Sequence, residues 1–137
     1  MQKTKLLLTG LLLNAAIATS ALAAQNPLSV HVLNLQDGLP SAGVTVKLEK
    51  KVDNNWVQIN EGVTNAQGRI TALYPSETTM EKGSYRVTFQ TEEWYAKQKT
   101  ATFFPEIPVI FKADGSVPHY HIPLLLSPYG FSSYRGN

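Results

Sequence analysis

The chain has 137 residues and no cysteine, and its 12 Lys and Arg residues nearly balance its 10 Asp and Glu residues. The lack of cysteine excludes disulfides, thiol nucleophiles and Cys-ligated zinc. The near balance of charge gives no reason to expect nucleic acid or an anionic membrane as a partner.

Residues 1–23 have the pattern of an export signal. A positively charged start is followed by an apolar stretch over residues 6–17 and by an A-x-A cleavage site at Ala21-Leu22-Ala23. The apolar stretch is shorter than the ~20 residues that a membrane-spanning helix needs. We therefore expect cleavage after Ala23, with Ala24 as the alternative, and a periplasmic location. The remaining chain, residues 24–137, has the size of one domain with its own core.

Short stretches of this domain alternate apolar and polar residues with a period of two, and each is closed by a turn signal. In the first stretch Leu28, Val30 and Val32 share one face. Ser29 and His31 lie on the other. The pattern is typical of an all-β sandwich or barrel. The predicted strands, about eight in all, are residues 28–33, 44–49, 56–60, 69–73, 83–90 and 109–112, one that begins near Val117, and 131–134.

Tight turns are predicted at Asp37-Gly38, Asn54-Asn55, residues 65–68 and Asp114-Gly115, the last as a hairpin. Pro118 and Pro123 lack the N–H of a ladder donor, so their nitrogens are expected to face a sheet edge or a bulge.

One short helix is expected after residue 90. Thr91 can serve as its N-cap, Glu92 and Glu93 lie at the positive end of the helix dipole, and Lys97 and Lys99 lie at the negative end. The predicted architecture is a two-sheet β-sandwich of about eight strands with one short helix.

Three histidines are candidates for chemistry. His119 and His121 are two residues apart, so they share one face of a strand. Together with His31 they could bind zinc, although no carboxylate ligand is fixed by motif spacing. If the segment stood alone, two solvated strand histidines would be the better interpretation.

An arginine and a tyrosine are further candidates. Arg69 directly follows the turn at Gly68, and its planar guanidinium suits a polar heterocycle that develops negative charge, although such arginines more often only solubilise the surface. Tyr134 follows an apolar strand close to the C-terminus, which favours a docked chain end over a frayed one.

Three segments together resemble the transthyretin-related proteins, the family of the 5-hydroxyisourate hydrolases of urate breakdown. They are Pro27-Leu28-Ser29-Val30-His31-Val32-Leu33-Asn34, the pair Gly68-Arg69, and residues 117–130 with the sequence VPHYHIPLLLSPYG. The chain then finishes with Tyr134-Arg135-Gly136-Asn137. The hydrolases typically end in Tyr-Arg-Gly-Ser, so the hydroxyl of the usual last residue is missing here.

The resemblance implies a transthyretin-like sandwich of two four-stranded sheets, assembled as a homotetramer of paired dimers around a central channel. Transthyretin has Lys, Glu, Thr and Thr at the positions that match His31, Arg69, His121 and Tyr134, whereas the hydrolase branch has His, Arg, His and Tyr, as this chain does. The implied activity is hydrolysis of 5-hydroxyisourate, without a cofactor or metal.

The same resemblance suggests roles for these residues. His31, Arg69, His121 and Tyr134 are the expected catalytic residues, and His31, Arg69 and Tyr134 are expected to bind substrate. His119 is expected to position these residues without contacting the substrate itself. Two alternatives stay open: a transthyretin-like protein that binds a small ligand without turnover, and a purely structural β-sandwich. A zinc-dependent hydrolase is a further variant.

Overall fold

Two β-sheets and one short helix make up the computed structural model, which describes residues 25–137. The predicted export signal, residues 1–23, lies outside the described residues. The predicted all-β, two-sheet class is confirmed. The strands are β1 (Leu28–Asn34), β2 (Leu39–Pro40), β3 (Thr45–Val52), β4 (Asn55–Val63), β5 (Arg69–Ile70), β6 (Gly83–Phe89), β7 (Ile107–Ala113), β8 (Tyr120–Ser127) and β9 (Gly130–Ser133), and the helix is α1 (Thr91–Ala96).

The two sheets differ in size. One is four-stranded and antiparallel, in the order β4-β3-β6-β7. The other has the order β2-β1-β8-β9, and β5 also pairs with β1. The two-residue strands β2 and β5 occupy successive parts of the same edge of β1, β5 at Val30 and His31 and β2 at Leu33 and Asn34. The expectation of two four-stranded sheets is therefore wrong for one sheet, which has five strands.

The pairing of β1 with β8 is parallel, and it positions the residues of the candidate active site. It runs from Leu28 opposite Tyr120 to Asn34 opposite Leu126. Side chains at alternate positions of both strands are buried between the sheets, and the intervening positions lie on the outer face. The buried set consists of Leu28, Val30, Val32, Ile122, Leu124 and Leu126.

The Asp114-Gly115 turn forms, but the predicted hairpin is wrong. Strand β7 belongs to the four-stranded sheet and β8 to the other, so the loop over residues 114–119 carries the chain across the sandwich. The Tyr120 hydroxyl accepts the N–H groups of Asp114 and Gly115 at 3.1 and 3.0 Å, which fastens the turn to the start of β8. Strand β8 therefore begins at Tyr120 and not near Val117.

Pro123 lies in an interior strand. The Tyr120 N–H donates to the Pro27 carbonyl, so alternation along β8 directs the nitrogen of Pro123 away from β1 and toward β9. Pairing with β9 begins only at Leu124, opposite Ser133. The missing donor of Pro123 thus falls just beyond the paired part of β9, on an interior strand and not at a free sheet edge.

The helix is present but its predicted cap is wrong. Thr91 is its first residue and Gln90 precedes it as the N-cap, without a side-chain capping bond. The Thr91 hydroxyl instead donates to the Phe104 carbonyl at 2.7 Å. The helix ends at Ala96, so Lys99, with its positive φ of 54°, lies beyond its last turn.

Two other local predictions shift slightly. The β3–β4 turn is formed by Asp53 and Asn54, both with positive φ, so Asn55 already belongs to β4. The strand expected over residues 69–73 is only the two-residue β5. Among residues 25–137 there is no helix of the length and apolarity that a membrane crossing requires.

Gly68 offers a test of the turn that precedes Arg69. Its φ is +70°, and a Cβ there would lie 2.6 Å from the Val32 carbonyl oxygen, whereas Gly38 has nearly the same φ, +74°, and nothing within 4 Å. We expect Gly38→Ala to lose about 1–2 kcal/mol through backbone strain alone. Gly68→Ala should lose about 3 kcal/mol or more because a clash adds to the strain. Urea unfolding midpoints measure both; equal losses would contradict the clash.

Candidate active site

Five polar residues, from β1, β5, β8 and the position just before β8, gather on the outer face of the five-stranded sheet. We call this set the site face: Ser29, His31, Arg69, His119 and His121. Ser29 lies opposite His121 in the parallel pair, and His31 lies opposite Arg69 in the antiparallel pair. From strand spacing and rise, the Cα atoms of His31 and His121 are about 8 Å apart. The pairing therefore brings three of the four predicted catalytic residues together.

The turn at residues 65–68 holds Arg69 at the edge of the site face. The Asn65 side chain accepts the N–H groups of Gln67 and Arg69, both at 3.0 Å, and the Asn65 N–H donates to the Arg69 carbonyl at 2.8 Å. The Gly68 carbonyl accepts the Val32 N–H at 2.8 Å. The backbone of Arg69 is thus fixed beside β1, while its side chain is exposed.

A chain of hydrogen bonds runs behind His121. The Asn26 carbonyl lies 2.8 Å from Nδ1 of His119, Nε2 of His119 lies 2.8 Å from the Ser29 hydroxyl, and that hydroxyl lies 2.6 Å from Nδ1 of His121. Asn26, Ser29 and His121 are each less than a tenth exposed. We call this sequence, Asn26-His119-Ser29-His121, the histidine relay.

Asn26 is itself anchored, which gives the relay a fixed end. Its side-chain oxygen accepts the N–H groups of Leu28 and Tyr74 at 3.0 and 3.2 Å, and its Nδ2 donates to the Tyr74 carbonyl at 2.8 Å. The Asn26 carbonyl that faces His119 is therefore held in place, because the Asn26 side chain is bound to the backbone of both Leu28 and Tyr74.

The C-terminal tail packs against His121. The Gly136 N–H donates to the His121 carbonyl at 2.9 Å. A Cβ on Gly136 would lie 2.4 Å from Cδ2 of the imidazole, so any side chain at this position would collide with the His121 ring. The docked chain end expected from the sequence is present.

Tyr134 borders a hollow that His121 also lines. The hollow has a volume of about 320 Å³, and its lining includes His121, Tyr134, Arg135 and the β7 residue Phe111. Tyr134 follows directly after β9, and its side chain is exposed. His31 and Arg69 lie outside this hollow, on the neighbouring part of the site face.

Burial and charge favour neutral imidazoles. Desolvation, followed by the positive charge of Arg69, lowers the pKa of His31, while the Gln67 backbone raises it slightly against both. The pKa of His121 is also lowered, first by burial and then by Arg69, His119 and His31. Both groups therefore carry an unprotonated ring nitrogen at neutral pH, as a general base must.

Within the part of the chain that the structure describes, no group of three or more His, Cys, Asp and Glu side chains is arranged to hold a metal ion. Both ring nitrogens of His119 already have hydrogen-bond partners, Asn26 and Ser29. The zinc alternative therefore finds no ligand set in residues 25–137.

Ser29 and Asn26 were not among the predicted site residues. A signal for Ser29 was available, since its position two residues before His31 places it on the same face of β1. What could not be read from the residues was the partner, because His121 is 92 positions away along the chain.

Comparisons with known proteins show the family of the chain. The sequence model of the HIUase/Transthyretin family matches residues 28–136. The 5-hydroxyisourate hydrolase of Salmonella dublin is 51% identical over 123 residues, which cover 90% of each chain. The mouse 5-hydroxyisourate hydrolase is 32% identical, over 82% of this chain and 96% of the mouse protein.

Solved structures with this fold include both a binding protein and an enzyme. Sea bream transthyretin in complex with thyroxine aligns with a TM-score of 0.75 and 34% identity, over 80% of this chain and 94% of its own. The 5-hydroxyisourate hydrolase of Klebsiella pneumoniae aligns with a TM-score of 0.69 and 36% identity, over 80% and 98%. The fold alone therefore does not separate binding from turnover.

Removal of the guanidinium tests the electrostatics of the site face. Because the charge of Arg69 disfavours imidazolium at both neighbouring histidines, Arg69→Gln should raise the pKa of His31 and of His121. Proton NMR titration of the imidazole C2 protons measures this. Arg86→Gln is the control, because Arg86 pairs with Glu49 on the other sheet and should leave both pKa values in place. Unchanged titration in Arg69→Gln would contradict the assignment.

Proposed function

The chain belongs to the HIUase/Transthyretin family, and on that premise we propose that it hydrolyses 5-hydroxyisourate to 2-oxo-4-hydroxy-4-carboxy-5-ureidoimidazoline in urate degradation. The observation that carries the proposal is the 51% identity, over 90% of both chains, to a protein named for that activity. Transthyretin likeness by itself would fit a binding protein equally well.

The reaction makes three demands on a site. Water adds to a ring carbonyl and the acyl C–N bond breaks. The carbonyl carbon becomes the carboxyl group of the product, and the nitrogen takes up a proton as part of the ureido group. The site must therefore supply a base for the water, a donor for the tetrahedral oxyanion and contacts that hold the ring. Atoms balance with one added water, and nothing is oxidised or reduced.

The site face offers groups for each demand. His121, with His31 beside it, activates the water, and the lowered pKa of each imidazole keeps it in the basic form at neutral pH. Arg69 holds the ring oxygens and stabilises the oxyanion, an effect of about 3 kcal/mol for a well-placed donor. The planar fork of its guanidinium suits two ring oxygens at once.

Tyr134 and His119 complete the set. Tyr134 orients substrate or water from the hollow that it shares with His121. His119 touches the reacting groups only through Ser29, so it acts on the position of His121 and not on the substrate.

The enzyme we propose is a homotetramer of paired dimers. Strands β9 and β7 are both edge strands, and they leave Phe131 and Ile110 exposed at 42% and 61%. Open edges with apolar side chains favour pairing with another copy. The site face is the outer face of a sheet, so a second subunit laid over it would enclose the substrate and exclude bulk water.

Assembly can be measured directly. Sedimentation of the purified chain should give four times the subunit mass, and Ile110→Lys together with Phe131→Lys should shift the mass toward the monomer, because charge on an open edge opposes strand pairing. Phe103→Lys, at a residue that is 72% exposed outside any strand, is the control and should leave the mass unchanged. A monomeric parent chain would contradict the assembly.

We place the mature protein in the periplasm. The support is the export pattern of residues 1–23 together with the position of the first strand, which begins at Leu28 and would be untouched by cleavage after Ala23. N-terminal sequencing of the chain recovered from the periplasm tests the cleavage position; recovery of an uncleaved chain would refute it.

The likeness to sea bream transthyretin in complex with thyroxine favours one second candidate, a small-ligand binding protein without turnover. That candidate predicts saturable association of an aromatic ligand and no acceleration of 5-hydroxyisourate decay. The two functions are therefore separated by one assay.

His121→Asn should lose roughly 10²-fold in kcat, because the general base is removed. The assay is the absorbance time course of 5-hydroxyisourate generated in situ by urate oxidase, compared with its spontaneous decay. All three histidines of the chain belong to the site face, so the control is the assembly itself, which should keep the sedimentation of the parent protein. Undiminished turnover in His121→Asn would remove this residue from the mechanism.

A further inference from the structure

The histidine relay has a direction, and the direction is fixed at its Asn26 end. A backbone carbonyl can only accept, so Nδ1 of His119 must carry the proton that it donates to Asn26 at 2.8 Å. A neutral imidazole has one N–H, so Nε2 of His119 is then an acceptor, and it takes the Ser29 hydroxyl proton at 2.8 Å.

The same accounting continues to His121. The single proton of the Ser29 hydroxyl is already donated to His119, so toward His121 the oxygen presents a lone pair. Nδ1 of His121, 2.6 Å away, must therefore be the donor. Its remaining nitrogen, Nε2, is left without a proton.

We propose that Ser29 and His119 are positioning residues that hold His121 with its proton on Nδ1, so that Nε2 of His121 is the atom that takes the proton from the attacking water. This inference rests on the proposed hydrolase function and names the base within it. Among the hydrogen bonds of residues 25–137 His31 has no corresponding side-chain partner, and its ring meets the Gln67 backbone instead, so the side-chain relay serves His121 and not His31.

Burial makes the relay selective. Asn26, Ser29 and His121 are at most 9% exposed, so water does not readily replace a missing partner, and an unpaired group would carry its full desolvation penalty. The Gly136 backbone closes the other side of the His121 ring. A free neutral imidazole in water favours the opposite tautomer, with the proton on Nε2, so a structural device is needed to reverse that preference.

The order of the relay depends on a neutral His119. With protons on both ring nitrogens, His119 would donate to Ser29, and Ser29 would then donate to Nδ1 of His121, which places the remaining proton on Nε2. The decisive measurement is therefore made in mildly alkaline solution, at pH 8.

The first test reads the tautomer without any substrate. In the full protein with 15N-labelled histidine at pH 8, two-bond 1H–15N spectra should show His121 protonated on Nδ1 and unprotonated on Nε2. In Ser29→Ala the His121 signals should move toward the Nε2–H form. A parent protein with the His121 proton on Nε2 would overturn the proposal, whether or not the chain hydrolyses 5-hydroxyisourate.

The second test uses the 5-hydroxyisourate time course. Ser29→Ala and His119→Ala should each lower kcat/KM about tenfold, and the double variant should be no slower than the slower single variant, because both residues act through the same bond to His121. Ser127→Ala, in strand β8 like His121, loses only a bond to the Gly130 carbonyl and should keep the parent rate.

The outcomes separate the two hypotheses. An inactive parent protein would contradict the proposed function, and the relay would then be judged by its spectra alone. An active parent with an unaffected Ser29→Ala variant would overturn the relay and leave the hydrolase function in place. Should Ser29→Ala not fold, His119→Ala and the spectra of the parent protein still decide.

Discussion

The parallel pairing of β1 with β8 is the constraint on which the site depends. It places Ser29 opposite His121 and, two residues along, His31 opposite Pro123. Six aliphatic side chains of these strands are buried, each worth about 2 kcal/mol, whereas each hydrogen bond of the relay contributes roughly 1 kcal/mol net. Burial therefore fixes the register. A slip by one residue would exchange the core set for the histidines, so packing of the core also positions the site.

The same placement determines the protonation of the site. An outer face partly covered by the C-terminal tail removes water from His121, and Arg69 adds a positive charge nearby; both effects lower its pKa. Burial of so many polar groups would be unfavourable if any were left unpaired. Here they are paired. Because the relay ends on the anchored Asn26 carbonyl, both ring nitrogens of His119 and Nδ1 of His121 have hydrogen-bond partners.

What could be predicted from the sequence was local. The period of two placed Leu28, Val30 and Val32 in the core and His31 outside it, and the glycine turn before Arg69 was recognised. The partners of the strands could not be predicted, because a turn such as Asp114-Gly115 has the same local chemistry in a hairpin and in a crossing between sheets. There the deciding contact is made by the Tyr120 hydroxyl, and at Thr91 by the distant Phe104 carbonyl. The relay depends on such a non-local pairing. Only two of its members, His119 and His121 on one strand face, could therefore be predicted from the sequence.

The division between binding and turnover must then lie in the site face, since transthyretin and hydrolase structures align with this chain about equally well. A wall that only binds needs donors and acceptors at fixed points, and hydroxyls or amides provide them without titrating. Imidazoles with lowered pKa values are useful to a site that must accept a proton at neutral pH, and one whose Nδ1 is fixed by Ser29 presents the accepting lone pair in a single direction. The orientation of one proton, set three hydrogen bonds away at Asn26, thus favours an enzyme over a carrier on the same scaffold.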